Sequence, residues 1–341
     1  MLIELVDSLR DLDGDAVDNL DAGCMVTGCW ARLVQLESDR LWNADYIVAY
    51  DGPTLCAVVP IYTSRAAAWS EVSLDPQSWA HPACAPADAV LVGAIRSVHS
   101  PLRVAPDDGL LTEVFAAVRS YAADRTILLP HYGDAAVSRL VRAFPDATWH
   151  PTEAHSDIVG VDERWESRLS SRVRQEIRHD RRMVADAGVS ARWLTWDEVT
   201  DEHLALLVAH AAGFGQPGHV ALTRRHYAQW RACPGVEPLL CVLEAGGAVL
   251  GVASALRWRD EIVMYEVGLA GARSAARLAA YTMLLGAAPV AYALDTGLTT
   301  VHLGYTNDFM KVRRGAVADR HHYGVVASPG TARDKEEAPG A

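Results

Sequence analysis

The chain has 341 residues, half of them apolar and 22% charged, which excludes disorder as its main state and suits two domains or one duplicated plan. The formal net charge of −12 argues against bulk affinity for nucleic acid or anionic membrane, but it is unevenly shared. Residues 1–150 carry 20 acidic against 10 basic side chains, and residues 151–341 carry 23 against 21.

No apolar run matches a membrane span, and Met1–Asp7 lacks the basic start of a signal peptide, so a cytoplasmic protein is expected. An acidic stretch, residues 7–21, reads as a frayed helix. Alternating residues 45–50 and 54–62, split by Asp51-Gly52-Pro53, predict a β-hairpin. Residues 69–88 read as irregular, 89–95 as a strand, 109–123 as a helix, 126–130 as a strand and 135–144 as a helix.

The pattern changes near residue 155. A short strand at 157–161 precedes a helix at 163–187, whose stripe is Trp165, Leu169, Val173, Ile177 and Val184. Helices follow at 202–214 and 223–232, then a three-strand antiparallel meander at 238–244, 249–258 and 261–269. A small-residue helix, 274–296, ends at Gly297 and feeds a strand at 300–304, a polar loop and a last strand at 323–326. Residues 328–341 read as a disordered tail. Hairpin, helix and strand recur in both halves, so domains of 1–150 and 151–327 with related mixed α/β sheets are expected.

The six cysteines form no dense framework and read as reduced, mostly core residues; the thirteen histidines show no H-E-x-x-H spacing, and no metal is expected. Three places concentrate reactive groups. On helix 163–187, Arg174, Arg178, Arg181 and Arg182 share one flank, which suits phosphate oxygens unless it is simply a solvated face. The second is the strand-loop from His302 to Ala316. There Lys311, Arg313 and Arg314 offer charge for phosphate or an oxyanion, and Asp308 offers a proton acceptor. His302, Tyr305 and Asn307 are further substrate-binding candidates there. Lys311 is the sole lysine of the expected folded body; Lys335 lies in the tail. Third, Glu266 in Tyr265-Glu266-Val267-Gly268 is a candidate base, and strand alternation puts it on the face opposite Tyr265.

Together, S-x-R-x-R-x-x-I-R at Ser170–Arg178, the meander ending Tyr-Glu-Val-Gly, and H-L-G-Y-(x5)-K-x-x-R-G-A at His302–Ala316 form a recognisable series. Over residues 155–326 it resembles the Fem-like, peptidoglycan-biosynthesis-type branch of the Gcn5-related N-acyltransferase (GNAT) superfamily. The resemblance implies an α/β protein of tandem GNAT-like lobes, each a mixed, mostly antiparallel sheet flanked by helices, the first degenerate. It implies transfer of an acyl, often aminoacyl, group to an amine of a small molecule or of a cell-wall or natural-product precursor. Lys311 matches the family's late lysine, and Arg314-Gly315 its R-G pair. The pyrophosphate loop of CoA-using relatives does not fit Gly268–Arg277, so aminoacyl-tRNA is the expected co-substrate, acyl-CoA the less favoured donor, and no bound cofactor is expected. The competing readings are an acyl-CoA-dependent enzyme and a non-catalytic binding protein of the same fold. In the enzyme reading, Lys311→Ala should abolish transfer and leave the melting temperature nearly unchanged.

Overall fold

The computed structural model describes residues 1–21, 23, 25–65, 89–97, 99–216, 218–271 and 274–328. The irregular segment expected at 69–88, Cys24, Cys84 and the expected tail from 329 onward lie outside the described residues. The chain divides into two compact units, Met1–Glu153 with Arg320–Ala341, and Ala154–Asp319. The strands are β1 (Leu2–Val6), β2 (Trp42–Asp51), β3 (Thr54–Ser64), β4 (Ala89–Val92), β5 (Thr126–Gly133), β6 (Thr148–Val159), β7 (Ser190–Thr195), β8 (Val236–Ala245), β9 (Ala248–Trp258), β10 (Glu261–Leu269), β11 (Thr300–His302) and β12 (Val317–Val326).

In the first unit the sheet order is β1-β2-β3-β4-β5-β12. All pairs are antiparallel except β4 with β5, which run parallel because a helix, Asp108–Ala122, carries the chain across between them. Asp107 caps that helix, its carboxylate accepting from the Leu110 N–H, and Leu111, Val114, Phe115 and Val118 bury its inner stripe. Strand β1 was not foreseen: the sequence reading began with a helix at residue 7, whereas the helix there is only Gly14–Asp18.

The second unit repeats the arrangement in the order β7-β8-β9-β10-β11-β6. Again one pair, β10 with β11, is parallel, and again a helical crossover joins its members. The equivalence places β12 in the first unit in the position that β6 holds in the second. The last strand of the sequence therefore completes the first unit's sheet, whereas the sequence reading gave it to the second lobe. Each unit is a mixed, mostly antiparallel sheet flanked by helices, the α/β class expected.

The helix expected over 163–187 is two pieces. Trp165–Arg168 is a single turn, and the long helix, Ser171–Asp186, begins after Ser170, whose hydroxyl accepts from the Val173 N–H as its N-cap. A local hydrogen-bonding side chain competes with helix continuation there, although Trp165 and Leu169 still pack into the same core. The small-residue helix expected at 274–296 is one 22-residue helical stretch, Ala275–Thr296, with a π-turn at Met283–Ala287. By length and mean hydropathy (1.3) it is apolar enough to cross a bilayer, which the sequence reading did not register. More than half of its most apolar 18-residue stretch is buried, its Ala279, Ala280, Leu284, Ala288 and Ala293 lying in the unit's own core with Leu239, Cys241, Ile262 and Val301.

Candidate active site

Strand β10 organises the site. Its pairing with β9 shifts between Met264 and Glu266, so Tyr265 is the extra residue of a β-bulge. The bulge cancels the alternation that should separate Tyr265 from Glu266. Both reach the helix Val220–Arg231: the Tyr265 ring stacks on His226 at 5.8 Å and 23°, while the Tyr227 hydroxyl donates to the Glu266 carboxylate at 2.6 Å. Ser254 Oγ accepts from the Glu266 N–H at 3.0 Å and bonds the Tyr227 hydroxyl, so Ser254 and Tyr227 together hold Glu266 at its backbone and its carboxylate. Glu266 keeps an exposed edge while its carboxylate lies against Tyr227. That local loss of hydration raises its pKa, and the Tyr227 hydrogen bond opposes the rise. A reachable carboxylate with a raised pKa is a proton acceptor suited to neutral pH.

The sheet opens just ahead of the bulge. Strand β11 follows β10 only through Val263↔His302, after which the chain stays on β6 through Leu303 N–H to Ser156 O and Ser156 N–H to Gly304 O. Gly304, Thr306 and Asn307 all take left-handed φ (71°, 62° and 53°), and a β-branched Thr in that region stores strain of the kind found at ligand-binding turns. Asn307 Nδ2 donates to the Tyr281 hydroxyl at 2.8 Å. The polar loop foreseen here contains a short helix, Asp308–Val312, with Asp308 in its first turn. Past the end of β10, Leu269, Ser274, Ala275, Arg277, Leu278 and Tyr281 line a groove of about 540 Å³.

The cations of this loop point inward. Lys311 is buried, and its ammonium donates to the carbonyls of Gly304 (2.8 Å) and Tyr305 (2.7 Å). Arg314 is buried in an ion pair with Asp180 (2.7 Å), and Arg313 pairs with Glu176 (2.7 Å), so two acids of the helix Ser171–Asp186 clip the loop onto it. Burial pushes the Asp180 carboxyl up despite the Arg314 charge. On the helix itself, Arg174 donates to the carbonyls of Leu169 and Ser167, and Arg181 pairs with Glu166. Arg178 and Arg182 are exposed and form no ion pair among the described residues. The structure brings loop and helix together, but Lys311, Arg313, Arg314 and Arg174 hold protein groups, leaving Arg178 and Arg182 facing solvent.

His302 sits apart from this. Its Nδ1 lies 2.7 Å from Asp157 and its Nε2 3.0 Å from Glu261, with His155 Nδ1 2.9 Å from the same Asp157 oxygen. Burial alone would push His302 down; the two carboxylate hydrogen bonds overcome it and hold the pKa at about 9. Burial would raise Asp157, and its imidazole partners instead keep it well below the usual carboxylate range. Tyr305 packs edge-on to His155 at 5.5 Å. The sequence reading missed Tyr227, Ser254, Asp157, His155 and Glu261. His155-Ser156-Asp157, two polar residues on one face of a strand, was a legible signal; Tyr227 and Ser254 carry none outside the fold.

Strand, two helices, a three-strand meander with a bulged last strand, a crossover helix and a diverging parallel strand together make up a GNAT-like fold. Comparison with known proteins agrees: residues 171–312 match the family model described as an acetyltransferase (GNAT) domain. No curated protein matches the chain. Among solved structures, the chain is similar to FemX (TM-score 0.61, 11% identity, 99% of this chain and 100% of that one). It is also similar to the tandem GNAT protein from the clavulanic acid biosynthesis pathway (0.55, 13%, 96% and 99%). A third is the C-terminal domain of a putative lysylphosphatidylglycerol synthetase from Agrobacterium fabrum (0.54, 10%, 95% and 93%).

Proposed function

We propose that the protein is an N-acyltransferase of the GNAT type that moves an aminoacyl group from aminoacyl-tRNA to the amine of a small molecule or of a cell-wall or natural-product precursor. The observation that carries the reading is the bulge at Tyr265, which presents the Glu266 carboxylate, hydrogen-bonded by Tyr227, where β10 and β11 part. The acceptor nitrogen attacks the donor's ester carbonyl, and a C–N bond forms. Glu266 takes the nitrogen's proton and returns it to the leaving oxygen as the ester C–O bond breaks, releasing the tRNA hydroxyl. An aminoacyl ester is already activated, so positioning and one base suffice. Arg178 and Arg182, four residues apart on an exposed helix face, are the groups left to meet a phosphate backbone. Lys311, Arg313 and Arg314 act in this scheme by holding the loop that carries Tyr305, Asn307 and Asp308.

A second reading, an acyl-CoA donor, is favoured by the 540 Å³ groove, whose Leu269, Ala275 and Leu278 suit an extended thioester arm and whose Arg277 suits a phosphate. The test supplies the protein with radiolabelled aminoacyl-tRNA or acyl-CoA and a panel of amino acids and diamines. Label moving from tRNA supports the first reading and label moving from CoA the second. Transfer undiminished in Glu266→Gln overturns the assignment of the base.

A further inference from the structure

A buried cluster in the second unit takes no part in the acyl transfer just described. His155 and Asp157 alternate onto one face of β6, β11 brings His302 opposite Asp157, and β10 brings Glu261 beside it. One Asp157 oxygen receives both imidazoles, His302 Nδ1 at 2.7 Å and His155 Nδ1 at 2.9 Å. The ligating atoms of His155, Asp157 and His302 all lie within 4.8 Å of one another.

We propose that His155, Asp157 and His302 form a binding site for a divalent transition-metal ion, zinc in the first instance, with Glu261 as the outer carboxylate that orients His302. Two imidazoles and one carboxylate are a donor set zinc accepts, and three protein ligands leave a fourth position for water. In a tetrahedral site with bonds of about 2.0 Å, ligand atoms stand roughly 3.3 Å apart. The Asp157 oxygen therefore has to retreat by about half an ångström, and Asp157 is the ligand with room to do so, its side chain being 23% exposed against 2% for His155 and 9% for His302. The same partial exposure gives the ion its way in. Glu261 Oε2, 3.0 Å from His302 Nε2, supplies the carboxylate–histidine contact that fixes a ligating ring and leaves Nδ1 to face the metal. Two carboxylates gathered around this point already favour positive charge there, and a dication answers the same field.

Untagged full-length protein, stripped with chelator, incubated with Zn²⁺ and desalted, should retain one equivalent by elemental analysis. Co²⁺ in place of zinc should give the visible bands of a tetrahedral nitrogen–oxygen site. His155→Ala, Asp157→Asn and His302→Ala should each reduce zinc affinity at least tenfold, and Glu261→Gln by about tenfold to a hundredfold, as loss of an outer-shell partner does. Circular dichroism identifies any variant that fails to fold, and the shape-conserving Asp157→Asn and Glu261→Gln then decide. Retention below one tenth of an equivalent, or affinity unchanged in both of those variants, overturns the site.

Discussion

Glu266 and Lys311 exchange the roles that residue type alone would give them. A lone lysine in a loop of reactive groups reads as the chemical centre, yet its ammonium is closed off by two carbonyls. Lys311→Ala should therefore lower the melting temperature, contrary to the expectation that stability would be untouched. Two charge-assisted hydrogen bonds from a buried group correspond to roughly 3–5 kcal/mol when removed. Thermal unfolding followed by circular dichroism measures it, and an unchanged transition would return Lys311 to the list of solvent-facing groups. In the proposed reaction Glu266 is the base instead, and Glu266→Gln should cost about 10²–10⁴ in turnover with little change in folding. Because its pKa is raised, activity should fall on acidification at a pH above that of an ordinary glutamate, as the base becomes protonated. The Tyr227 hydrogen bond opposes that rise, so Tyr227→Phe should move the acidic limb further up. A limb that stayed still, or moved down, would separate Glu266 from the pH profile. The sequence marks Glu266 as a candidate base but not its setting, because the carboxylate's basicity depends on Tyr227, 39 positions away, and on a bulge that no residue pattern announces.

At the scale of elements the sequence was far more explicit. The meander of β8, β9 and β10 was readable to within two residues because apolar alternation and two-residue turns at Gly246-Gly247 and Arg259-Asp260 mark it without competing signals. The helix Ser171–Asp186 was misjudged at its start, since a stripe continuing through Leu169 cannot reveal that Ser170 caps rather than extends it. The ion pairs Arg314–Asp180 and Arg313–Glu176 between that helix and the loop were invisible because their partners are more than 130 residues apart. Asp180→Asn would leave Arg314 buried against a neutral group, and breaking a buried pair costs roughly 3–5 kcal/mol. The half-buried pair Arg313–Glu176, more open to water, should matter less, about 1 kcal/mol. Equal losses of stability in Asp180→Asn and Glu176→Gln would contradict this ordering. A tighter constraint lies at Gly268 on β10, where a Cβ would stand 2.5 Å from the Leu206 backbone in the helix Asp201–Ala212. Gly268→Ala must displace that helix from the strand that carries Glu266. It should lower both stability, by about 1–3 kcal/mol, and turnover.

For the whole molecule, the duplicated plan was foreseen from the recurring order of hairpin, helix and strand, but the assignment of the last strand was not. Local pattern identifies β12 as a strand and says nothing of the sheet it joins, which depends on pairing with residues almost two hundred positions earlier. It pairs with β5 from His321↔Gly133 to Val326↔Ile127, burying Tyr323 and Val325 against Ala89 and Leu128. Gly324 lies so close under the Trp149 ring that a side chain there would meet it at 2.7 Å. A chain ending at Asp319 keeps every residue of the second unit and removes this strand from the first. Tyr323, Val325 and Val326 each represent roughly 1.5–3 kcal/mol of lost burial, and β5 is left with unpaired backbone groups. The sum is comparable with the entire stability of an ordinary domain. The truncated chain should therefore show early proteolytic cleavage within residues 1–153, while 154–319 resists at the concentrations that the full chain tolerates. Mass spectrometry of the fragments reads the outcome directly. Equal resistance of both segments would mean that the first sheet stands without its sixth strand, and that the parallel between β12 and β6 is one of position alone.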